Sequence, residues 1–316
     1  MEKVIRIGTR GSKLALVQTA MVIEGLRQRY PEWKMETVVM HTRGDKILDK
    51  PLIEFGGKGV FISEFEEALL EGRIDLAVHS SKDMPMELAE GLVIAGVLPR
   101  ADARDVLITK KGLFLEKDRY IGQNGNLQRD NNNLDFSNFT VGTGSLRRQC
   151  QLQKLYPGVH CISVRGNVPT RLQKLRDGQC DGVVLAAAGL SRLGLLEEKE
   201  FDYHYFSYEE MVPAGGQGII AIEGRTEDEI TGLVECISDE KTYYELETER
   251  SILQQLDAGC DEAIGVISRI EQDTVNIQII REQDDILQKQ EGNASVSQRM
   301  ELARELVNRL SINRRT

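Results

Sequence analysis

The stretch Met211–Gly224, MVPAGGQGIIAIEG, decides how this chain folds. It follows two blocks of sequence that each alternate short β-rich runs with longer helical patterns. A chain that leaves the first block through the charged stretch LPRADARD (98–105) and returns through 211–224 crosses twice between the same two units. Twin crossings of this kind build hinged two-domain clefts.

The first block reads VIRIGT as a strand and Ser12 as the cap of a helix whose Leu14, Val17 and Met21 recur at helical spacing. METVVMHT is the next strand, followed by a helix at FISEFEEALLEG and strands at IDLAVHS and GLVIAGVL. The second block repeats the plan with DVLITK, FTVGT, a helix at SLRRQCQLQKLY, HCISVRG, a helix at PTRLQKLRDG, and DGVVLAAAG. Alternation of this sort predicts parallel sheets with helical crossovers. Between DVLITK and FTVGT, residues of about 110–138 are polar and Asn-rich and read as a long surface loop. After Asp239 the pattern changes to amphipathic helices at ETERSILQQL and SVSQRMELARELVNRL around the strands AIGVISRI and TVNIQIIRE. Met300, Ala303, Val307 and Leu310 share one face of the last helix. The expected organisation is an α/β domain over 1–98 and 218–235, a second over 103–212, and a small α+β domain over 240–316.

Composition narrows the function. The chain has 316 residues, 41% of them hydrophobic, which suits two or three buried cores. No window approaches the ~20 apolar residues that cross a bilayer, and the amino terminus has no unbroken apolar run. A soluble cytoplasmic protein with no membrane partner is expected. The five cysteines, Cys150, Cys161, Cys180, Cys236 and Cys260, are scattered and never form a Cys-x-x-Cys pair, which argues against a disulfide framework and a zinc site. A net charge of −10 disfavours nucleic acid as the main partner, so any anion site must be a local concentration of Arg and Lys.

Four stretches supply that concentration at strand ends, where open α/β sheets bind ligands. IGTRGSKLAL carries Arg10 and Ser12, VHSSKDMP carries Lys82 and Asp83, VGTGSLRRQ carries Ser145, Arg147 and Arg148, and VRGNVPTRLQK carries Arg165 and Arg171. Helix starts favour anions, and the arginine fork matches a carboxylate. A double arginine at a helix start opposes the macrodipole and needs compensation, most simply a bound anion. Each feature also has a bland reading. An isolated arginine in a first helical turn is usually solvated, Asp83 suits a turn before Met84 and Pro85, and a lone Cys260 suits a core. Repetition weighs against the first, and the position of Cys260 past Gly259, where a helical pattern ends, suggests an exposed, reactive thiol. FGGKGVF and PAGGQGII lack phosphate-loop spacing, which speaks against nucleotide binding. On these residues alone a two-lobed carboxylate receptor and a phosphosugar enzyme stay open beside an oligoanion-processing enzyme.

Taken in order, TRGSKLAL, TRGD, GGKGVF, HSSKDMP, VGTGSLRRQCQL, VRGNVPTRL, LAAAGLSRLGL, PAGGQGIIAIE and AGCDEAIG resemble the porphobilinogen deaminase (hydroxymethylbilane synthase) family from about Ile5 to Gly265. The resemblance implies two lobes of the type II periplasmic-binding-protein kind plus a cysteine-bearing third domain. It implies a transferase of tetrapyrrole biosynthesis that condenses four porphobilinogen head to tail into hydroxymethylbilane with release of four ammonia; a monomer is expected. It further implies a dipyrromethane cofactor joined by a thioether to Cys260. Asp83 then matches the catalytic aspartate, and Lys82, Ser145, Arg147, Arg148 and Arg171 match cofactor-binding positions. Arg10, Ser12, Arg165 and Arg192 match substrate-binding positions, and Lys58 falls in the family's mobile loop. Around its cysteine the family commonly reads Gly-Cys-Gln-Val-Pro-Ile-Gly, whereas this chain has Gly259-Cys260-Asp261-Glu262-Ala263-Ile264-Gly265. The growing oligopyrrole gains carboxylates at every round, so the resemblance gives the arginines a purpose in an otherwise acidic protein.

Overall fold

The computed structural model describes residues 3–40, 63–113, 139–258, 262–284 and 286–312. Lys58, Cys260 and most of the Asn-rich stretch lie outside the described residues.

The first sheet sets strands β2 (Lys34–Met40), β1 (Val4–Arg10), β3 (Leu76–Ser80), β10 (Ile220–Arg225) and β4 (Leu92–Val97) side by side in that order. The second sets β7 (His160–Ile162), β6 (Thr140–Gly142), β8 (Gly182–Ala186), β5 (Asp105–Lys110) and β9 (Phe201–Tyr205) in the same pattern. In each, a central strand runs parallel to two neighbours: β1 to β2 and β3, and β6 to β7 and β8. The expectation of purely parallel sheets is corrected, because β10 runs antiparallel to β3 and β4, and β5 antiparallel to β8 and β9. The reversed strand is in both cases the one that follows a crossing. A chain entering from the other lobe arrives at the cleft side and must run against strands whose C-terminal ends face that cleft. The crossings themselves pair, with Leu98 N donating to Ile220 O and Ala101 N to Gly218 O, each at 3.1 Å.

Helix α1 (Lys13–Arg29) starts at Ser12, whose hydroxyl accepts from Ala15 N at 3.2 Å, and buries Val22 and Leu26 against Ile5, Ile7, Leu76 and Ile222. Helix α2 (Ser63–Leu70) adds Phe65 and Leu69 on the same lobe. In the second lobe α3 (Leu146–Leu155), α4 (Val168–Arg176) and α5 (Ala187–Arg192) cover a core that includes Val106, Ile108, Leu172, Val183 and Leu185. The short α6 (Glu229–Leu233) is capped by Asp228. The third unit is an antiparallel sheet of β11 (Ile264–Glu271), β12 (Thr274–Gln283) and β13 (Ile286–Ser295), packed on α7 (Glu240–Gln255) and α8 (Arg299–Ile312). Ala303, Val307 and Leu310 are buried as the helical spacing predicts, joined by Leu302 and Leu306, while Met300 is only partly buried. β13 has no strand pattern in the sequence, being a polar edge strand, ILQKQEGNAS. The fold is thus the expected pair of α/β lobes with a small α+β unit. Among the described residues no helix is long and apolar enough to cross a membrane.

Candidate active site

The C-terminal ends of the parallel strands of both sheets carry the residues singled out in the sequence, as sheets of this construction require. Arg10 ends β1, and Lys82 and Asp83 lie on a single 3-10 turn, Ser81–Asp83, directly after β3. Ser145 follows β6, Arg165 follows β7, Arg171 lies in α4 and Arg192 ends α5. Lys82 and Asp83 keep contact with solvent, and Ser81 beneath them is buried.

The two lobes act on each other electrostatically at this point. Although its side chain reaches solvent, the protein crowded around Lys82 lowers its ammonium from the ordinary range; Asp83 and Asp105 raise it, and Arg148 and Arg147 on the other lobe lower it further. Desolvation pushes the Arg171 guanidinium down to about 10, with Arg148 lowering and Asp83 raising it. Desolvation alone brings Arg192 to about 10. Arg171 Nε donates to Gly166 O at 2.8 Å, and Arg192 Nη2 donates to Gly218 O at 2.7 Å in the returning crossing. Among the described residues Arg192 Nε is buried without a partner.

Arg147 and Arg148 take a different place from the one expected of solvated or ligand-only arginines. They are buried, 4% and 6% exposed, and share the carboxylate of Asp105. Arg147 Nη1 donates to Asp105 Oδ2 at 2.7 Å, and Arg148 donates to Oδ1 from Nε at 3.0 Å and from Nη2 at 2.7 Å. Burial opposes ionisation of Asp105, but the two guanidiniums overcome it and hold the carboxyl far below the usual carboxylate range. The compensation that a double arginine at a helix start needs is therefore internal. Two guanidiniums against one carboxylate still leave a net positive charge facing Lys82.

Ser12 is engaged as the α1 cap, whereas Ser145 begins α3 without a side-chain capping bond, which leaves its hydroxyl for another partner. Arg165 is exposed. Sequence reasoning missed Asp105, Gln217 and the pair Gln18–Ser80, in which Gln18 Nε2 donates to Ser80 Oγ at 2.9 Å one residue past β3's buried core. The one clue to Asp105 was an acid opening the apolar run VLIT.

The third unit reaches the same place. Arg250 Nη2 donates to Pro85 O and Met86 O, both at 2.7 Å, and Gln254 Nε2 donates to Met86 O at 3.0 Å. The last turns of α7, which lead toward Cys260, are thereby bonded to the segment that follows Asp83. Of the two acids that distinguish the cysteine loop, Glu262 pairs with Arg281 of β12 at 3.3 Å, so its charge is met within the third unit.

The donor set fits a polycarboxylate such as dipyrromethane. Among the described residues Lys82, Arg171 and Arg192 have no carboxylate at ion-pair distance; Arg171 and Arg192 are partly buried and desolvated, and Lys82 is exposed. Desolvated cations without an internal counter-charge are the groups whose stability a bound carboxylate restores.

Comparison with known proteins agrees. The family profile "Porphobilinogen deaminase, dipyromethane cofactor binding domain" matches residues 5–232, and "Porphobilinogen deaminase, C-terminal domain" matches 243–313. The porphobilinogen deaminase of Syntrophus aciditrophicus is 41% identical over 309 residues, covering 97% of this chain and 94% of the relative. That of Lachnospira eligens is 45% identical over 264 residues, covering 82% of each. Among solved structures, the BenM effector binding domain with benzoate aligns over 82% of this chain and 95% of its own, at 18% identity and a TM-score of 0.40. With two α/β lobes built alike and matches to family profiles and relatives over nearly its whole length, the chain belongs to the porphobilinogen deaminase family.

Proposed function

We propose that porphobilinogen is condensed in the cleft between the two lobes, with Asp83 as the catalytic carboxylate and the surrounding cations as receptors for acetate and propionate groups. The observation that carries this reading is that Lys82 and Asp83 of one lobe share a field with Arg148 and Arg171 of the other, beside the segment to which α7 is bonded. In this reading the lobes are 1–98 with 218–235 and 103–212, the third unit is 240–316, and the protein is a cytoplasmic monomer.

Dipyrromethane, when bound, supplies the pyrrole carbon that is extended; Cys260 would hold it, with Lys82, Ser145, Arg147, Arg148 and Arg171 around it. Arg10, Ser12, Arg165 and Arg192 take the incoming substrate. Porphobilinogen carries two carboxylates, so every condensation adds negative charge to one enclosed space. Lys82, Arg171 and Arg192 meet that charge without giving up an internal ion pair. Loss of ammonia and the following carbon–carbon bond formation both place positive charge on a pyrrole nitrogen. A carboxylate fixed by a tight turn stabilises such a charge and can take up the proton that each condensation releases, and both tasks fall to Asp83.

The test uses protein purified from cells that make porphobilinogen. Its intact mass should exceed the chain by one dipyrromethane unit, and it should consume porphobilinogen and yield hydroxymethylbilane, read as uroporphyrin after ring closure and oxidation. Turnover by a protein with the bare chain mass would sink the tether. No consumption of porphobilinogen would sink the whole reading.

A further inference from the structure

Gln217 sits in the returning crossing, 1% exposed, and its side-chain amide touches both halves of the hinge. Nε2 donates to Ala103 O at 2.7 Å in the outgoing crossing and to Asp105 Oδ1 at 3.0 Å. Its main-chain carbonyl accepts from Arg100 Nε at 3.0 Å. Asp105, at the end of the outgoing crossing, is fully buried, and among the described residues its carboxylate is bonded only by the arginines of α3 and by Gln217. The same arginine helix is bonded to the start of the returning segment: Arg147 Nη1 donates to Val212 O at 2.7 Å, Gln151 Nε2 donates to Val212 O at 3.1 Å, and Val212 N donates back to Gln151 Oε1 at 2.8 Å.

We infer that Asp105 and Gln217 form a clamp on the hinge: positioning residues that fix the direction of the Arg147 and Arg148 guanidiniums and tie it to the register of the two crossings. The inference rests on the reading that this arginine pair receives pyrrole carboxylates. A bare arginine at a helix start has several rotamers, and holding a carboxylate receptor in one of them removes an ordering cost from binding. Because the clamp spans both crossings, a hinge movement that shifts Gln217 against Ala103 also moves the carboxylate that orients both arginines. Opening and closing of the lobes is thereby linked to how the cleft presents charge.

The clamp and a simple charge effect predict opposite signs. Asp105→Asn removes the negative charge that, among the described residues, pairs with both arginines, so charge alone would tighten binding of the dianionic substrate and lower KM. The clamp predicts a higher KM. Asp105→Asn leaves buried guanidiniums uncompensated and can prevent folding, so the deciding variant is Gln217→Leu, nearly isosteric and uncharged. The holoenzyme carrying Gln217→Leu should keep its dipyrromethane mass and stay folded at the assay temperature, with a melting temperature moderately lowered because Ala103 O loses its donor. Its kcat/KM should fall on the order of tenfold to a hundredfold, mostly through KM, as for displaced binding groups. Unchanged kinetic constants overturn the clamp, and so does a loss of activity matched by loss of the cofactor mass or by unfolding at the assay temperature. Arg148→Leu is the control: full activity there sinks the reading of the arginines themselves, whereas an inactive Arg148→Leu beside a fully active Gln217→Leu sinks only the clamp.

Discussion

Glu249 of α7 grips Arg100 of the outgoing crossing with both oxygens, Oε1 to Nη1 at 2.6 Å and Oε2 to Nη2 at 3.2 Å. The same carboxylate accepts from Gly216 N and from Ser268 N, each at 2.7 Å, so one fully buried side chain joins both crossings to β11. Burial disfavours the Arg100 charge, yet Glu249 and Glu245 hold its guanidinium above the ordinary arginine value. Removing one partner strands the other charge without water.

Glu249→Gln or Arg100→Ala is therefore expected to cost about 3–5 kcal/mol, seen as a large drop in melting temperature. The pair Arg100→Met with Glu249→Leu should recover part of that loss, since neither member of the pair is then left as a lone buried charge, although Glu245, Gly216 N and Ser268 N each lose a partner. A double variant that melts no higher than either single one would count against this account.

At the catalytic turn, charge and reach are separable. Asp83→Asn keeps the shape of the side chain and removes its charge, and should lower kcat by on the order of 10² to 10³. Asp83→Glu keeps the charge on a longer stem and should retain part of the activity. Equal kcat for the two variants, measured on cofactor-loaded protein, would remove Asp83 from its assigned role.

Much of this was legible from sequence because strand-end motifs and helix starts are local. VHSSKDMP and VGTGSLRRQ announce their positions through residues a few places apart, and the twin crossing follows from two blocks built alike. What sequence hides is pairing across distance. Asp105 reads as part of a solvated linker until Arg147, 42 positions on, and Gln217, 112 positions on, are brought to it. The reversal of β5 and β10 is invisible for the same reason, since strand direction depends on which lobe the chain comes from. β13 escapes because an edge strand with one wet face needs few apolar residues, and Lys289 and Glu291 lie on it at 3.0 Å from each other.

Lys82 supplies a pH signature. Its folded-state value lies below that of an ordinary lysine, so the unfolded chain holds the proton more tightly. Stability then rises with pH between the folded and unfolded values, and below that window the charged ammonium is a constant penalty. In a cofactor-free Cys260→Ser background, Lys82→Met should raise the melting temperature near neutral pH. The gain should shrink as pH climbs toward the ordinary lysine value of about 10.4. In cofactor-loaded protein, carboxylates beside Lys82 should erase the gain, so melting curves of both forms at two pH values decide the matter.

The last prediction separates strain from displacement at the turn that carries Asp83. Gly216 has a positive φ of 73°, and a Cβ there would lie 2.6 Å from Ser81 Oγ and 3.0 Å from Lys82 N. Gly112 has a φ of 81° with nothing within 4 Å of its Cβ position. Alanine at either site meets the same backbone penalty of roughly 1–2 kcal/mol. Only Gly216→Ala also pushes on the 3-10 turn, at the backbone of Lys82, where little can yield. Gly112→Ala should therefore lower the melting temperature with kcat unchanged. Gly216→Ala should lower both, with kcat down by on the order of 10²-fold if the turn moves Asp83 by about 1 Å. Matching kcat values for the two variants would show that the returning crossing does not hold the catalytic turn in place.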